Sequence, residues 1–152
     1  MHPMSMADLK RLCVDAFPGS PTRTRIWNGF AFVIDKLLQC EVEADVWLNG
    51  SFMTERTDPQ DADLVLCIRA EVYENGTTQT KEAIDWINDN LRGAHLCDSY
   101  RFFVYPANDP LYGDGESDRS YWLNQFGKTY AKDQPKGIAV IELRPRRKQT
   151  VR

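Results

Sequence analysis

In the 152-residue chain, the residues arranged as if for chemistry are Gly50-Ser51 and the aspartates of Asp61-Ala-Asp63. A short apolar stretch, Asp45-Val-Trp-Leu-Asn49, runs into Gly50-Ser51; nine residues follow; Asp61-Ala-Asp63 then leads into Leu64-Val-Leu-Cys-Ile68. On a strand, side chains two apart share a face, so both carboxylates would point the same way, about 7 Å apart at Cα. Two hard oxygen donors at that spacing suit Mg²⁺ or Mn²⁺, and Mg²⁺ favours one or two carboxylates plus substrate phosphates. Glycine allows a phosphate to approach the backbone closely. Ser51 stands where a helix can start, so its hydroxyl and the following amides could hold a triphosphate. The plainer reading is an acidic turn, Thr57-Asp-Pro-Gln-Asp61. Asp63 argues against it, because a carboxylate entering an apolar strand is costly unless a cation or water compensates it.

The elements that must position these residues can be read from periodicity and punctuation. Residues 7–13 predict a short helix ended by Phe17-Pro18-Gly19. Ser20-Pro21-Thr22 supplies a cap and a first-turn proline for a helix to about Gln39. Its apolar face is Ile26, Phe30, Val33, Ile34 and Leu37. Residues 45–49 and 62–69 predict buried strands, joined by a polar loop from Thr54 to Gln60. Thr77 or Thr78 caps a helix to about Leu91, with Ile84, Ile87 and Leu91 on one face. Leu96 to Tyr105 predicts a further strand, 107–119 a long mobile loop, Ser120 to Tyr130 a helix that Gly127 weakens, and 137–143 a last strand. This irregular alternation predicts an α/β or α+β fold with a mixed sheet.

Composition bounds the rest. Hydrophobic residues make up 42% and charged residues 27%, as in ordinary globular domains. One domain over 1–143 and a basic tail over 144–152 fit this length. A net charge of −3 gives no global attraction to nucleic acid or anionic membrane. The tail, from Arg144 to Arg152, carries five basic residues and no acidic ones. Cys13, Cys40, Cys67 and Cys97 lack C-x-x-C spacing and predict buried free thiols in a reducing compartment. His2 and His95 are too few for a zinc site of usual spacing. No apolar run approaches the ~20 residues of a bilayer span, and the N-terminus lacks a signal-peptide pattern, so a cytoplasmic location is expected.

With Gly50, Ser51, Asp61 and Asp63 in this order, the chain resembles the DNA polymerase β-like nucleotidyltransferase superfamily. Its motif is an apolar strand, Gly-Ser, a gap of around ten residues, then Asp-x-Asp on the next strand. The runs Trp47-Leu-Asn-Gly-Ser-Phe-Met-Thr-Glu55, Asp58-Pro-Gln-Asp-Ala-Asp-Leu-Val65, Trp122-Leu-Asn-Gln-Phe-Gly127 and Lys136-Gly-Ile138 look like a small bacterial and phage branch of it. The resemblance implies a mixed, twisted sheet flanked by helices, with Asp61 and Asp63 binding metal and Gly50, Ser51 and Thr54 facing the nucleotide. It also implies a third carboxylate from a later strand. Asp98, opening Asp98-Ser-Tyr-Arg-Phe-Phe-Val-Tyr105, is the candidate as metal ligand or base, with Glu142 and Asp109 as weaker options.

The activity implied is Mg²⁺- or Mn²⁺-dependent transfer of a nucleoside monophosphate from an NTP, with ATP the expected donor, to an unidentified acceptor. So short a chain has little room for an acceptor domain. A partner protein is therefore a candidate acceptor, as in toxin–antitoxin or phage-defence modules. The gap of nine is one shorter than is typical of the minimal enzymes of such modules. Two rival readings follow: a module that binds nucleotide without turnover, and an enzyme extending RNA 3′ ends through the basic tail. Arg101, Lys128 and Lys136 are candidates for neutralising phosphate. Thr57 is a candidate loop contact. Tyr100, Phe102, Phe103 and Tyr105 could stack a base but are expected mostly in the core, as are Trp122 and Phe126.

Overall fold

The computed structural model of the chain describes residues 1–128 and 137–146. Among the described residues, five strands form one mixed sheet in the order β1-β5-β2-β3-β4. They are β1 His2–Pro3, β2 Ala44–Asn49, β3 Ala62–Arg69, β4 Cys97–Val104 and β5 Ala139–Leu143. β2 is antiparallel to β3 and β5, whereas the β3–β4 and β1–β5 pairs are parallel. The helices are α1 Met6–Lys10, α2 Pro21–Gln39, α3 Ala70–Glu74, α4 Thr78–Trp86, α5 Arg92–His95 and α6 Tyr112–Phe126. The mixed sheet with flanking helices is the expected fold class.

α2 forms for the reasons the sequence offers. Ser20 Oγ accepts the Arg23 N–H, Pro21 occupies the first turn, and Ile26, Phe30, Val33, Ile34 and Leu37 are all buried. That face packs with Val46, Leu48, Leu64, Leu66 and Ile68 on one side of the sheet. The alternate residues Trp47 and Val65 form a second cluster on the opposite side with Phe102, Phe126, Ile138 and Val140. β3 is therefore covered on both faces, so it reads as a continuous apolar run rather than an alternation.

The departures are local. The segment expected as a loop over 107–119 enters α6 at Tyr112. Its Asp and Gly content signals a turn, but Gly115 serves packing: a Cβ there would lie 2.8 Å from the Phe103 carbonyl oxygen. The helix is thus pressed onto β4 and anchored by Trp122 and Phe126. It ends at Phe126 with Gly127 as C-cap; residues 129–136 lie outside the described part. α4 stops at Trp86 rather than near Leu91, because Asn88, Asp89 and Asn90 favour turns over helix. The first helix, α1, continues through Arg11–Asp15 as a π-helical turn. β1 was not expected; two residues carry no periodicity.

Cys13, Cys40 and Cys97 are buried and Cys67 is partly buried, all as free thiols. Burial pushes the Cys13 thiol up to about 11, and those of Cys67 and Cys97 up to about 12. They therefore stay protonated and unreactive at neutral pH. Among the described residues no helix is long and apolar enough to cross a membrane.

Candidate functional site

Asp63 and Asp98 are register partners on the parallel strands β3 and β4, so their side chains leave the sheet on the same face. Both line a cleft of about 230 Å³ whose other wall is α6. Across β3 on the other side, Asn49 is the register partner of Asp63. Asn49 is 7% exposed, and its Nδ2 donates to the Phe126 carbonyl at 2.9 Å, which ties the end of α6 to β2. Its Oδ1 is buried and finds no hydrogen-bond partner among the described residues. A buried, unsatisfied amide oxygen beside an aspartate is the kind of acceptor that a cation or a bound water would satisfy.

Gly50 follows directly, with φ 85° and ψ −172°. Its backbone passes so close to Asp63 that a Cβ would lie 2.4 Å from Asp63 Oδ2. Only glycine accepts that conformation readily. Gly50 therefore both turns the chain out of β2 and leaves the space in which the Asp63 carboxylate rests. Gly50→Ala is expected to cost about 1–3 kcal/mol in backbone strain. It should also force the Asp63 carboxylate to rotate. Urea denaturation reads the first effect and the metal affinity of the folded variant reads the second.

Asp61 is placed differently. Its side chain is 17% exposed and Oδ2 forms an ion pair with Arg92 Nε of α5 at 2.9 Å. Asp61 and Asp63 stand on either side of Ala62, the register partner of Cys97, and their charges add to burial in raising the Cys97 thiol. Among the described residues, however, no three Asp, Glu, His or Cys side chains converge as a ready-made ion cage. The expected trio of Asp61, Asp63 and Asp98 is thus split into a pair in the cleft and a third carboxylate held by arginine. A pair suits Mg²⁺ better than it suits Ca²⁺, since Mg²⁺ completes its shell with water and phosphate. The donor set of Asp63, Asp98 and Asn49 Oδ1 fits such an ion.

Asp98 Oδ2 accepts a hydrogen bond from Tyr100 Oη at 3.1 Å. Partial burial, followed by the Asp98 charge and this bond, raises the Tyr100 hydroxyl above its ordinary pKa. The phenol thus remains a donor to Asp98. Ser51 does not begin a full helix: Ser51–Met53 makes one 3₁₀ turn. The Thr54 hydroxyl donates to the Ser51 carbonyl at 2.8 Å and accepts from Arg56 N–H at 3.3 Å. It shapes the loop from within instead of reaching towards a ligand.

The residue that sequence reasoning missed is Arg23. Inside the cap of α2 its guanidinium is completely buried. It donates to the carbonyls of Cys13, Phe52, Thr54, Arg56 and Thr57 and lies 3.7 Å from the centroid of the Phe17 ring. Four of those carbonyls belong to the loop after Gly50-Ser51, so Arg23 folds that loop around itself. A lone arginine on the polar-looking start of a helix gives no signal of this. The only hint is that position 23 lies three before Ile26, on the buried stripe.

Other expectations resolve by position. Arg101 pairs with Asp85 of α4 at 3.3 Å, and its register partner Leu66 belongs to the α2 side of the sheet, away from the cleft. Tyr105 lies near Gly115 at the start of α6, and Phe103 packs against the main core. Asp109 closes a turn onto Leu111 N–H. Glu142 pairs with Asp45 in the β2–β5 register, at the opposite end of β2 from Asn49. Thr57 gives its carbonyl to Arg23 at 3.3 Å. Arg144 bonds the Ala44 carbonyl and the Asp45 carboxylate, while Lys136 and the tail beyond Arg146 lie outside the described residues.

No curated protein and no solved structure matches the chain. Residues 1–142 match DUF6932, described as a family of unknown function, and the chain belongs to that family.

Proposed function

We propose that the protein is a Mg²⁺- or Mn²⁺-dependent nucleotidyltransferase that moves a nucleoside monophosphate from an NTP, ATP first among them, to an acceptor hydroxyl or phosphate. The observation that carries this reading is the pairing of Asp63 with Asp98 across β3 and β4, directly beside Gly50 and the unsatisfied Asn49 oxygen. Asp63 and Asp98 would hold the ion, with Asp61 joining if Arg92 releases it. When bound, the ion would neutralise phosphate oxygens and stabilise the charge that develops on the leaving group.

The chain's own groups have distinct tasks in this scheme. Gly50 and the turn at Ser51 leave the backbone open to a phosphate. An acceptor oxygen attacks the α-phosphorus, the bond to the bridging oxygen of the β-phosphate breaks, and pyrophosphate leaves. The acceptor proton passes to the Asp98 carboxylate, which Tyr100 orients through its hydrogen bond. The acceptor class we propose is a partner protein. The test is incubation with α-labelled ATP and Mg²⁺ or Mn²⁺, scoring both label transfer and pyrophosphate release.

One observation favours a second reading, a module that binds nucleotide without turnover: the Arg92 guanidinium engages a carboxylate that the active enzyme would use. Metal-dependent ATP binding without pyrophosphate release, across several acceptors, would select it. The pair also makes a prediction. A partly exposed ion pair is worth roughly 0.5–1 kcal/mol, about 2–5-fold in an equilibrium. Arg92→Gln should lower the Mn²⁺ concentration for half-saturation in the presence of ATP by that factor, measured by calorimetry. An unchanged or weaker affinity would show that Arg92 does not compete with metal.

A further inference from the structure

The cleft beside Asp63 and Asp98 has a wall that the metal–phosphate reading does not use. Tyr100 from β4 and Tyr121, Trp122 and Gln125 from α6 line it. Tyr100 and Tyr121 remain 38% and 55% exposed although each touches Trp122. The Tyr100 ring lies 4.7 Å from Trp122 at a 36° tilt, and the Tyr121 ring meets Trp122 edge-on at 5.0 Å. Trp122 in turn rests edge-on against the buried Phe126. Phe126 is fixed through its carbonyl to Asn49 beside Asp63. The exposed tyrosines are therefore mounted on a packed support and held at a set position relative to the carboxylates.

Exposed tyrosine rings at the mouth of a cleft leave apolar surface in water that a flat ligand would cover. The cleft, at about 230 Å³, is smaller than the ~300–1,000 Å³ that encloses a whole drug-sized molecule, so it takes one ring system and leaves the rest outside. Gln125 places an amide, both donor and acceptor, at the rim, suited to the edge of a heteroaromatic ring. The carboxylates would repel bare phosphates, so the phosphates of such a ligand belong on a cation at Asp63 and Asp98.

We infer that this aromatic wall is the seat for the base of a purine nucleotide, stacked on Tyr121, flanked at an angle by Tyr100 and met at its edge by Gln125. The inference rests on the transferase reading for the placement of the phosphates, but ring binding itself needs neither metal nor turnover. Base–aromatic stacking contributes enough that losing one ring should weaken binding about 10-fold.

The test uses the full chain and separate probes. Adenosine, titrated in EDTA and followed by calorimetry, should bind saturably to the wild type. Tyr121→Ala, at a solvent-exposed position that leaves the fold intact, should weaken adenosine about 10-fold. The same variant should leave the binding of tripolyphosphate in Mg²⁺ unchanged. Gln125→Ala should reduce the difference in affinity between adenosine and guanosine. Equal adenosine affinity in wild type and Tyr121→Ala would overturn the inference. So would binding of tripolyphosphate and Mg²⁺ with no adenosine binding at millimolar concentration. Tighter binding of tetramethylammonium than of adenosine, lost in Tyr121→Ala, would also overturn it by making the wall a cage for organic cations. Absent label transfer with intact, Tyr121-dependent adenosine binding would defeat the transferase reading and leave the ring site standing.

Discussion

Asp63→Asn is expected to abolish nucleotidyl transfer while leaving the fold in place. Asparagine keeps the volume of the side chain beside Gly50, so the close approach of the backbone there survives. What disappears is the charge that, in the proposed reaction, would hold a cation against phosphate. Stabilisation of that kind amounts to several kcal/mol, and about 4 kcal/mol corresponds to roughly 10³-fold in rate. Single-turnover transfer from α-labelled ATP should fall by about that factor, with the melting temperature shifted by no more than a few degrees. Asp61→Asn should cost less, since Asp61 is already engaged by Arg92. Retention of activity within about 10-fold in Asp63→Asn, or a larger loss at Asp61 than at Asp63, would run against this assignment of roles.

Arg23→Met should be the most destabilising single change in the loop region. Methionine preserves much of the side-chain length and removes every donor. The carbonyls of Cys13 and Phe52, each 2.8 Å from Arg23 Nη1, would lose a partner in the interior, and those of Thr54, Arg56 and Thr57 would lose their common anchor. An orphaned buried acceptor costs about 1–3 kcal/mol, whereas acceptors on the exposed part of the loop can turn to water. With two such carbonyls left in the interior, a loss of about 3–5 kcal/mol follows. Lysine at the same position should recover part of it, because one ammonium cannot span five carbonyls spread along the loop. Urea denaturation distinguishes these outcomes. A loss below about 1 kcal/mol in Arg23→Met would mean that the loop holds itself.

The scaffold around the site was legible because its signals are local. The cap at Ser20 with Pro21 behind it, and the apolar runs ending at Asn49 and beginning at Ala62, specify α2, β2 and β3 to within a residue or two. Gly50 was legible for a similar reason, since a strand that ends in Gly-Ser before a polar loop needs an unusual backbone angle. What failed depends on long-range contacts. The first half of α6, residues 112–119, reads as loop because Gly113, Asp114 and Gly115 disfavour helix in isolation, while packing against β4 decides the outcome in the folded chain. The partner of Asp61 was invisible because Arg92 comes from another element 31 positions away in sequence. Arg23 carries no sequence signal of burial, since most arginines are exposed, and only the carbonyls gathered from the loop give it a place inside. Asp98 is the candidate third carboxylate on strand order, which the resemblance supplies, and the β3–β4 register sets it beside Asp63.

The proposed function requires Asp63 and Asp98 to hold a divalent cation against the phosphates of a nucleotide. Its most direct test is a crystal of the full chain soaked in Mn²⁺ and a non-hydrolysable ATP analogue, with anomalous diffraction recorded for manganese. The expected result is an anomalous peak in contact with the carboxylates of Asp63 and Asp98 and with phosphate oxygens of the analogue. Nucleotide density in the cleft at millimolar Mn²⁺ with no peak at those carboxylates, or a peak bound only elsewhere, would contradict it.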